Sequence, residues 1–210
     1  MKNLLFYTFH RQIDEIYYSS LFFNKSDFLK SNFDVILHCN NINLTYQEII
    51  NVAKFNSNVN VIITSKNTGY KYGGIEATSD SFELFKQYNT VVQLHPDCYI
   101  VDATNLESLL TTNFDIAASP FYHVNRMAYT TDFFIFKTKN NFLDICHDHW
   151  KINPNEIPEH FMYDRVHSLN LNIKEINRYP DFNGVGNREI DLFGLWHEHN
   201  NNNVKKYLNV

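Results

Sequence analysis

Four short stretches of this chain carry side chains that can ligate a cation, hold an anion or move a proton. The first is His95-Pro96-Asp97, between the apolar runs Val91-Val-Gln-Leu94 and Cys98-Tyr-Ile-Val101. An imidazole and a carboxylate one residue apart can reach the same cation or phosphate. The proline between them stiffens the turn and removes a ladder donor. The second is Trp196-His197-Glu198-His199. In extended backbone, positions 197 and 199 face the same way. Two imidazoles on one face, with a carboxylate from elsewhere, make a divalent metal site, so at least one of the pair is expected to be a ligand. His147 and His149 share that spacing but fall in a predicted helix, where i and i+2 diverge, and read as surface residues.

The third stretch is Asn67-Thr-Gly-Tyr-Lys71-Tyr-Gly73-Gly74, ahead of a predicted helix. Its glycines permit close backbone approach, and N–H groups at a helix start favour an anion such as a diphosphate, with Lys71 adding charge. The spacing matches neither a P-loop nor GxGxxG, so an ordinary strand-to-helix turn fits it too. Asn183-Gly-Val-Gly186 reads as a loop. The fourth stretch is Glu159, after Pro158 at the start of a predicted helix whose next turn carries Asp164-Arg165. A carboxylate there complements the helix dipole; at the edge of a cleft it is also a general base.

The elements that must position these residues alternate. Strands are predicted at 4–9, 34–40, 59–64 and 91–94, separated by a helical pattern from Ile13 towards Phe28-Leu29, a helix at 46–55 and a helix at 75–88. Thr45 and Glu48 form the sequence signature of a capping box. This β-α alternation predicts an α/β fold with a mostly parallel sheet and helices on both faces. Ligands bind such sheets beyond the carboxyl ends of the strands, which is where His95 and Asp97 fall. The second half is less regular: helices at 106–110, 141–150 and 159–169, strands at 114–118, 129–137 and 172–176, and a loop at 153–158. Asp132 lies inside the strongest of these strands, where a buried carboxylate is costly unless paired.

Composition narrows the function classes. The 210 residues fit one domain, and a 44% hydrophobic share is ample for a core. A net charge of −5 with no basic stripe argues against nucleic-acid binding. Three scattered cysteines without a CxxC argue against a disulfide framework or zinc ribbon and for a reducing compartment. No segment approaches ~18 apolar residues, so no transmembrane helix is expected and the chain reads as soluble and cytoplasmic. The run Asn200–Asn203 reads as compositional bias.

Taken in order, these stretches resemble the GT-A glycosyltransferases, the nucleotide-sugar-dependent class with a Rossmann-like N-terminal half. His95-Pro96-Asp97-Cys98-Tyr99-Ile100 is similar to the D-x-D motif and its apolar continuation, with Asp97 in the metal-binding position and His95 in place of the first acid. Trp196-His197-Glu198-His199 resembles the C-terminal element that completes the metal site. Pro158-Glu159 with Arg165 resembles the acidic acceptor-side motif of inverting members, with His160 where a second acid is usual. The resemblance implies one GT-A domain, residues 1–102 forming the donor half and 103–210 the acceptor half and metal-site tail. It implies Mn²⁺ or Mg²⁺ on Asp97, His95, His197 and His199. It implies a nucleotide sugar held by Thr8, Phe9, His10, Arg11, Asn40, Asn67, Lys71, Gly73, Gly74, His95, Asp97 and Asp132, the last touching the sugar. Glu159 is then the base, with Asp164 in reserve, and the acceptor is a hydroxyl of a glycan or glycoprotein. The size is similar to compact GT-A domains of large viruses and bacteria. The rival readings are a nucleotidyltransferase, which wants a basic glycine-rich segment after the first strand where Phe9-His-Arg-Gln12 has no glycine, and a non-catalytic nucleotide-sugar-binding domain, kept open by His95.

Overall fold

Among the described residues, seven strands make the central sheet, in the order β3-β2-β1-β4-β7-β6-β8. The structure, a computed structural model, describes residues 2–65, 73–123, 125–138, 157–178 and 189–210. Strands β1 (Asn3–Phe9), β2 (Phe33–Cys39), β3 (Val59–Ile63) and β4 (Thr90–Leu94) run parallel, so their carboxyl ends share one edge. The long β7 (Arg126–Lys137) is antiparallel to β4 and to β6 (Ile116–His123), and β8 (Ile173–Glu175) pairs parallel with β6. The expected α/β architecture with a mostly parallel sheet is the one found.

Alternation along the strands supplies two cores. Leu5, Tyr7, Phe9, Val35, Leu37, Val92 and Leu94 face one side with Ile16, Phe23, Leu29, Ile49 and Leu106. Those residues come from α1 (Ile13–Lys25), α2 (Asp27–Asn32), α3 (Tyr46–Val52) and α6 (Thr104–Leu110). Leu4, Phe6, Ile36, Val91, Phe134 and Phe136 face the other side, against α4 (Gly73–Asp80), α5 (Phe82–Phe85) and α7 (Pro158–Ser168). Helices therefore cover both faces. The Thr45–Glu48 capping box forms as the sequence predicts.

Several elements differ from expectation for identifiable reasons. The helix predicted at 75–88 divides into α4 and α5 at Ser81. The run Thr78-Ser-Asp-Ser81 is made of residues whose side chains compete for backbone bonds, and Thr78 Oγ1 indeed bonds Gly74 O. The break turns Phe85 into edge contact with Phe6 and Phe136. The first helix stops at Lys25, and Ser26 caps a second one through its bond from Leu29 N. Strand β6 runs past the predicted 118 and accommodates Pro120 at a register shift. The helix predicted at 141–150, with His147 and His149, lies outside the described residues, as do the loop at 153–156 and Asn183–Gly186. No described helix is long and apolar enough to cross a membrane.

The run after Asp97, for which the sequence predicts no element, forms one of its own. Cys98–Ile100 does not continue the central sheet. It forms β5, which pairs antiparallel with β9 (Leu195–His197) in a separate two-stranded ribbon. Helix α8 (Asn201–Leu208), not anticipated, follows it. Asn200, within the run taken as bias, is its N-cap, accepting from Asn202 N at 3.0 Å. Tyr99, Trp196, Val204 and Leu208 pack on Tyr18 and Phe22 of α1, pinning ribbon and tail to the first helix.

Gly194 makes this return possible. Its φ is +93°, and a Cβ there would stand 2.4 Å from Asp102 O, while its own carbonyl accepts from Val101 N and Asp102 N. Gly194→Ala is expected to destabilise the protein by about 1 to 3 kcal/mol from the backbone strain, with the clash in addition. Urea unfolding reads this directly, and an unchanged midpoint would show that the turn relaxes freely.

Candidate active site

Strand β4 ends where its residues cease to be apolar, and the chain turns sharply. Cys98 N bonds His95 O at 3.0 Å, with Pro96 second in the turn, where its fixed φ belongs. The turn is clamped from below by Ser19 Oγ, which donates to Pro96 O at 3.0 Å. It is clamped from the side by Glu198 N, which donates to Asp97 O at 3.0 Å. The ribbon sets His197 opposite Cys98, so the imidazole arrives beside Asp97. His199 follows two residues on and points the same way, the two rings lying 4.5 Å apart.

Three ligand atoms converge as a result. His199 Nδ1 lies 2.8 Å from Asp97 Oδ2, and His197 Nε2 lies 3.7 Å from Asp97 Oδ1. One ligand atom from each of the three residues falls within 4.8 Å of the others. Asp97 Oδ1 and His197 Nε2 are buried and have no hydrogen-bond partner. Two orphaned atoms facing one another across a gap is the arrangement a cation resolves, because buried polar groups otherwise find partners. One carboxylate and two imidazoles suit a first-row transition ion such as Mn²⁺ better than Mg²⁺, which prefers oxygen ligands.

This cluster opens into a cleft of about 950 Å³ along the carboxyl edge of the parallel strands. The cleft is lined by Thr8, Phe9, His10, Arg11, Asn40, Gly74, His95, Asp97, His197 and His199, all anticipated, and also by Gln12, Asp14, Glu15 and Asn201. His10 Nδ1 donates to Asn40 Oδ1 at 2.9 Å, tying the ends of β1 and β2 together. A second cavity of about 290 Å³ adjoins it, sharing Gly74 and His95 and adding Gln93, Thr131 and Glu159. The carboxylate of Glu159 accepts from Thr131 Oγ1 at 3.0 Å.

Other anticipated residues stand elsewhere. His95 is not among the three clustered ligands. Its Nε2 would lie 3.8 Å from a Cβ on Gly74, which places the ring between the two cavities. Asp164 lines neither cavity; it pairs with Arg126 at 2.6 Å on an exposed helix face. Asp132 lies behind His197 and not on a cavity wall, its Oδ2 2.9 Å from Arg178 Nη1 and 3.3 Å from His197 Nδ1. Gly73 opens α4, and Asn67 and Lys71 lie outside the described residues.

No family model matches the sequence, and no curated protein is significantly similar to it. Solved structures are similar in fold. TarS 1–349 of S. aureus is 15% identical, with 84% of this chain and 58% of that one covered at a TM-score of 0.57. A Desulfovibrio desulfuricans protein described as a nucleotide-diphospho-sugar transferase is 11% identical, with 84% and 80% covered at 0.53. The mannosyltransferase PcManGT of Pyrobaculum calidifontis, solved with GDP-Man and Mn²⁺, is 8% identical, with 83% and 54% covered at 0.54. The fold is GT-A.

Within this GT-A chain, electrostatics reinforce the cluster. Burial pushes the Asp97 carboxyl up, but the contact with His197 and the charges of His197, His95 and His199 outweigh it and hold the group at about 2. Burial pushes the His197 ring down, and Asp97 and Asp132 together pull it above its ordinary value. Burial likewise acts against the Asp132 carboxylate and is overcome chiefly by Arg178. The sequence reading missed Arg178 and Asp191 altogether. Arg178 has no motif around it, although Asp191-Leu-Phe-Gly194 has the form of a turn.

These shifts fix a sign for pH dependence. In the metal-free protein, protonated His197 stabilises the fold below its unfolded pKa of ~6.5, and that stabilisation is lost as pH rises through the raised folded value. A cation reverses the sign because it needs the ring neutral. Mn²⁺ should therefore raise the melting temperature at about pH 8 and much less at about pH 5.5. Asp97, held at about 2, keeps its full stabilisation across that window and adds no pH dependence there. Equal shifts at both pH values would remove His197 from the ligand set.

Proposed function

We propose that this chain is a metal-dependent glycosyltransferase that moves a sugar from a nucleoside-diphosphate sugar to a hydroxyl acceptor with inversion. The observation that carries the reading is the convergence of Asp97, His197 and His199 at the wall of the strand-edge cleft. The cleft lining supports metal dependence by its charge: among the described lining residues Asp14, Glu15 and Asp97 are acidic and Arg11 alone is a fixed cation. A diphosphate entering such a cleft needs a positive partner.

In this reading, residues 1–102 bind the donor and residues 103–210 serve the acceptor and return the metal-site tail. Asp97, His197 and His199 would hold the ion, Mn²⁺ in preference to Mg²⁺. When bound, it supplies Lewis-acid stabilisation of the charge gathering on the departing diphosphate. Thr8 to Arg11 and Asn40 line the nucleoside end. Gly74, whose Cβ would crowd Gln93 at 3.1 Å, leaves the floor between the two cavities open, and His95 reaches the same place. Glu159 faces the smaller cavity, oriented by Thr131. There it accepts the proton of the acceptor hydroxyl as that oxygen bonds to the anomeric carbon. The bond from that carbon to phosphate breaks, and its electron pair leaves with the nucleoside diphosphate.

Nucleotidyltransferases share this fold. The loop after β1, Phe9-His-Arg-Gln12, lacks the glycines with which a triphosphate would be held, and a carboxylate facing a second cavity suits hydroxyl activation better. A panel of nucleotide sugars with and without Mn²⁺ tests the donor: at 100 times its dissociation constant the right one stabilises by about 2.7 kcal/mol. Glu159→Gln should leave that stabilisation in place and cut transfer by at least about 10²-fold. A product of retained configuration, or near-normal transfer by the variant, takes Glu159 out of the role of base. A Mn²⁺-dependent donor shift with no turnover on any acceptor would favour the non-catalytic binding domain.

A further inference from the structure

We infer that Asp132 is a positioning residue for the metal site, acting through His197 and itself held by Arg178. The inference rests on the metal-site reading above and concerns residues behind the ligands. His197 has two ring nitrogens with different neighbours. Nε2 faces Asp97 Oδ1 across 3.7 Å and is orphaned, whereas Nδ1 lies 3.3 Å from Asp132 Oδ2. A ring that ligates through Nε2 must carry its proton on Nδ1, and a carboxylate beside Nδ1 is what fixes that tautomer and the orientation of the ring. The opposite tautomer would set the Nδ1 lone pair against the Asp132 carboxylate.

Asp132 can serve in this way because its own charge and place are fixed. Arg178 is 1% exposed and donates from Nη1 to Asp132 Oδ2 at 2.9 Å and from Nε to Asp191 Oδ2 at 2.6 Å. Its guanidinium also stands over the Phe133 ring, 5.8 Å from the centroid, and 3.9 Å from Cys98 Sγ. The second oxygen of Asp191 accepts from Phe193 N and Leu195 N at 2.9 and 3.0 Å, the residues that lead into β9. One guanidinium therefore fixes both the carboxylate behind His197 and the turn that delivers His197. Asp132 lines neither cavity, so its effect on substrate runs through the imidazole.

The test is Mn²⁺ affinity, measured without donor or acceptor by the loss of the free-ion paramagnetic resonance signal at about pH 8. Wild type and Asp132→Asn are compared at a temperature where both are folded. Asn keeps the shape and removes the charge, and the expected result is affinity weakened about 10- to 100-fold. Unchanged affinity overturns the inference, also where the variant is less stable, since that is the mark of a merely structural ion pair. Wild type that binds no Mn²⁺ overturns the metal-site reading together with this one, which separates the two failures. If Asp132→Asn does not fold, the wild-type protein decides. With Zn²⁺ as a diamagnetic probe, nitrogen NMR should show His197 protonated at Nδ1 and liganded at Nε2. The reverse assignment overturns the inference.

Discussion

A guanidinium with no access to solvent is the constraint around which the second half of this molecule is arranged. Removing a charge from water costs several kcal/mol unless partners replace the lost solvation. Arg178 meets that requirement with two carboxylates from different parts of the chain, Asp132 in the middle of β7 and Asp191 in the turn before β9. Neither acid would be tolerated alone in that environment, so the three groups specify one another. The sheet, the ribbon and the tail can satisfy them together only in the observed arrangement.

The N-terminal half depends on a simpler rule. Four parallel strands end on one edge, and side chains just past those ends face a shared space. At the His95–Asp97 turn the ribbon reaches this edge, so the cleft and the three-residue cluster meet there. The two cavities are joined at Gly74 and His95, which puts the Glu159 carboxylate and the Asp97–His197–His199 cluster on either side of a narrow floor.

Much of this was legible in the sequence because it is encoded locally. Short apolar, β-favouring runs gave the first four strands, Thr45 and Glu48 gave a helix start, and the i, i+2 spacing of His197 and His199 gave a common direction once the backbone was extended. Pro158 and Glu159 gave the start of α7. What was not legible depends on partners distant in sequence. The run Cys98–Ile100 is apolar, but nothing beside it in sequence names its partner strand, which begins at Leu195. Asp132 looked like a ligand-facing acid because nothing near it in sequence announces Arg178. The Asn200–Asn203 run looked like bias because a cap is visible only when the helix after it is recognised, and α8 has few apolar residues.

The separation of Asp97 from His199, 102 positions, has a consequence for biosynthesis. When the ribosome has completed β4 and its turn, Asp97 has been made, yet His199 is 102 positions away. The cluster comes into being only after β9 has docked beside β5. An ion held there would act as a reversible clasp across a very long loop. Because the entropy of closing a loop grows with the logarithm of its length, a clasp across about 100 residues costs about 2 kcal/mol more to close than one across about 10. Loading of an ion would thus report that the tail has arrived.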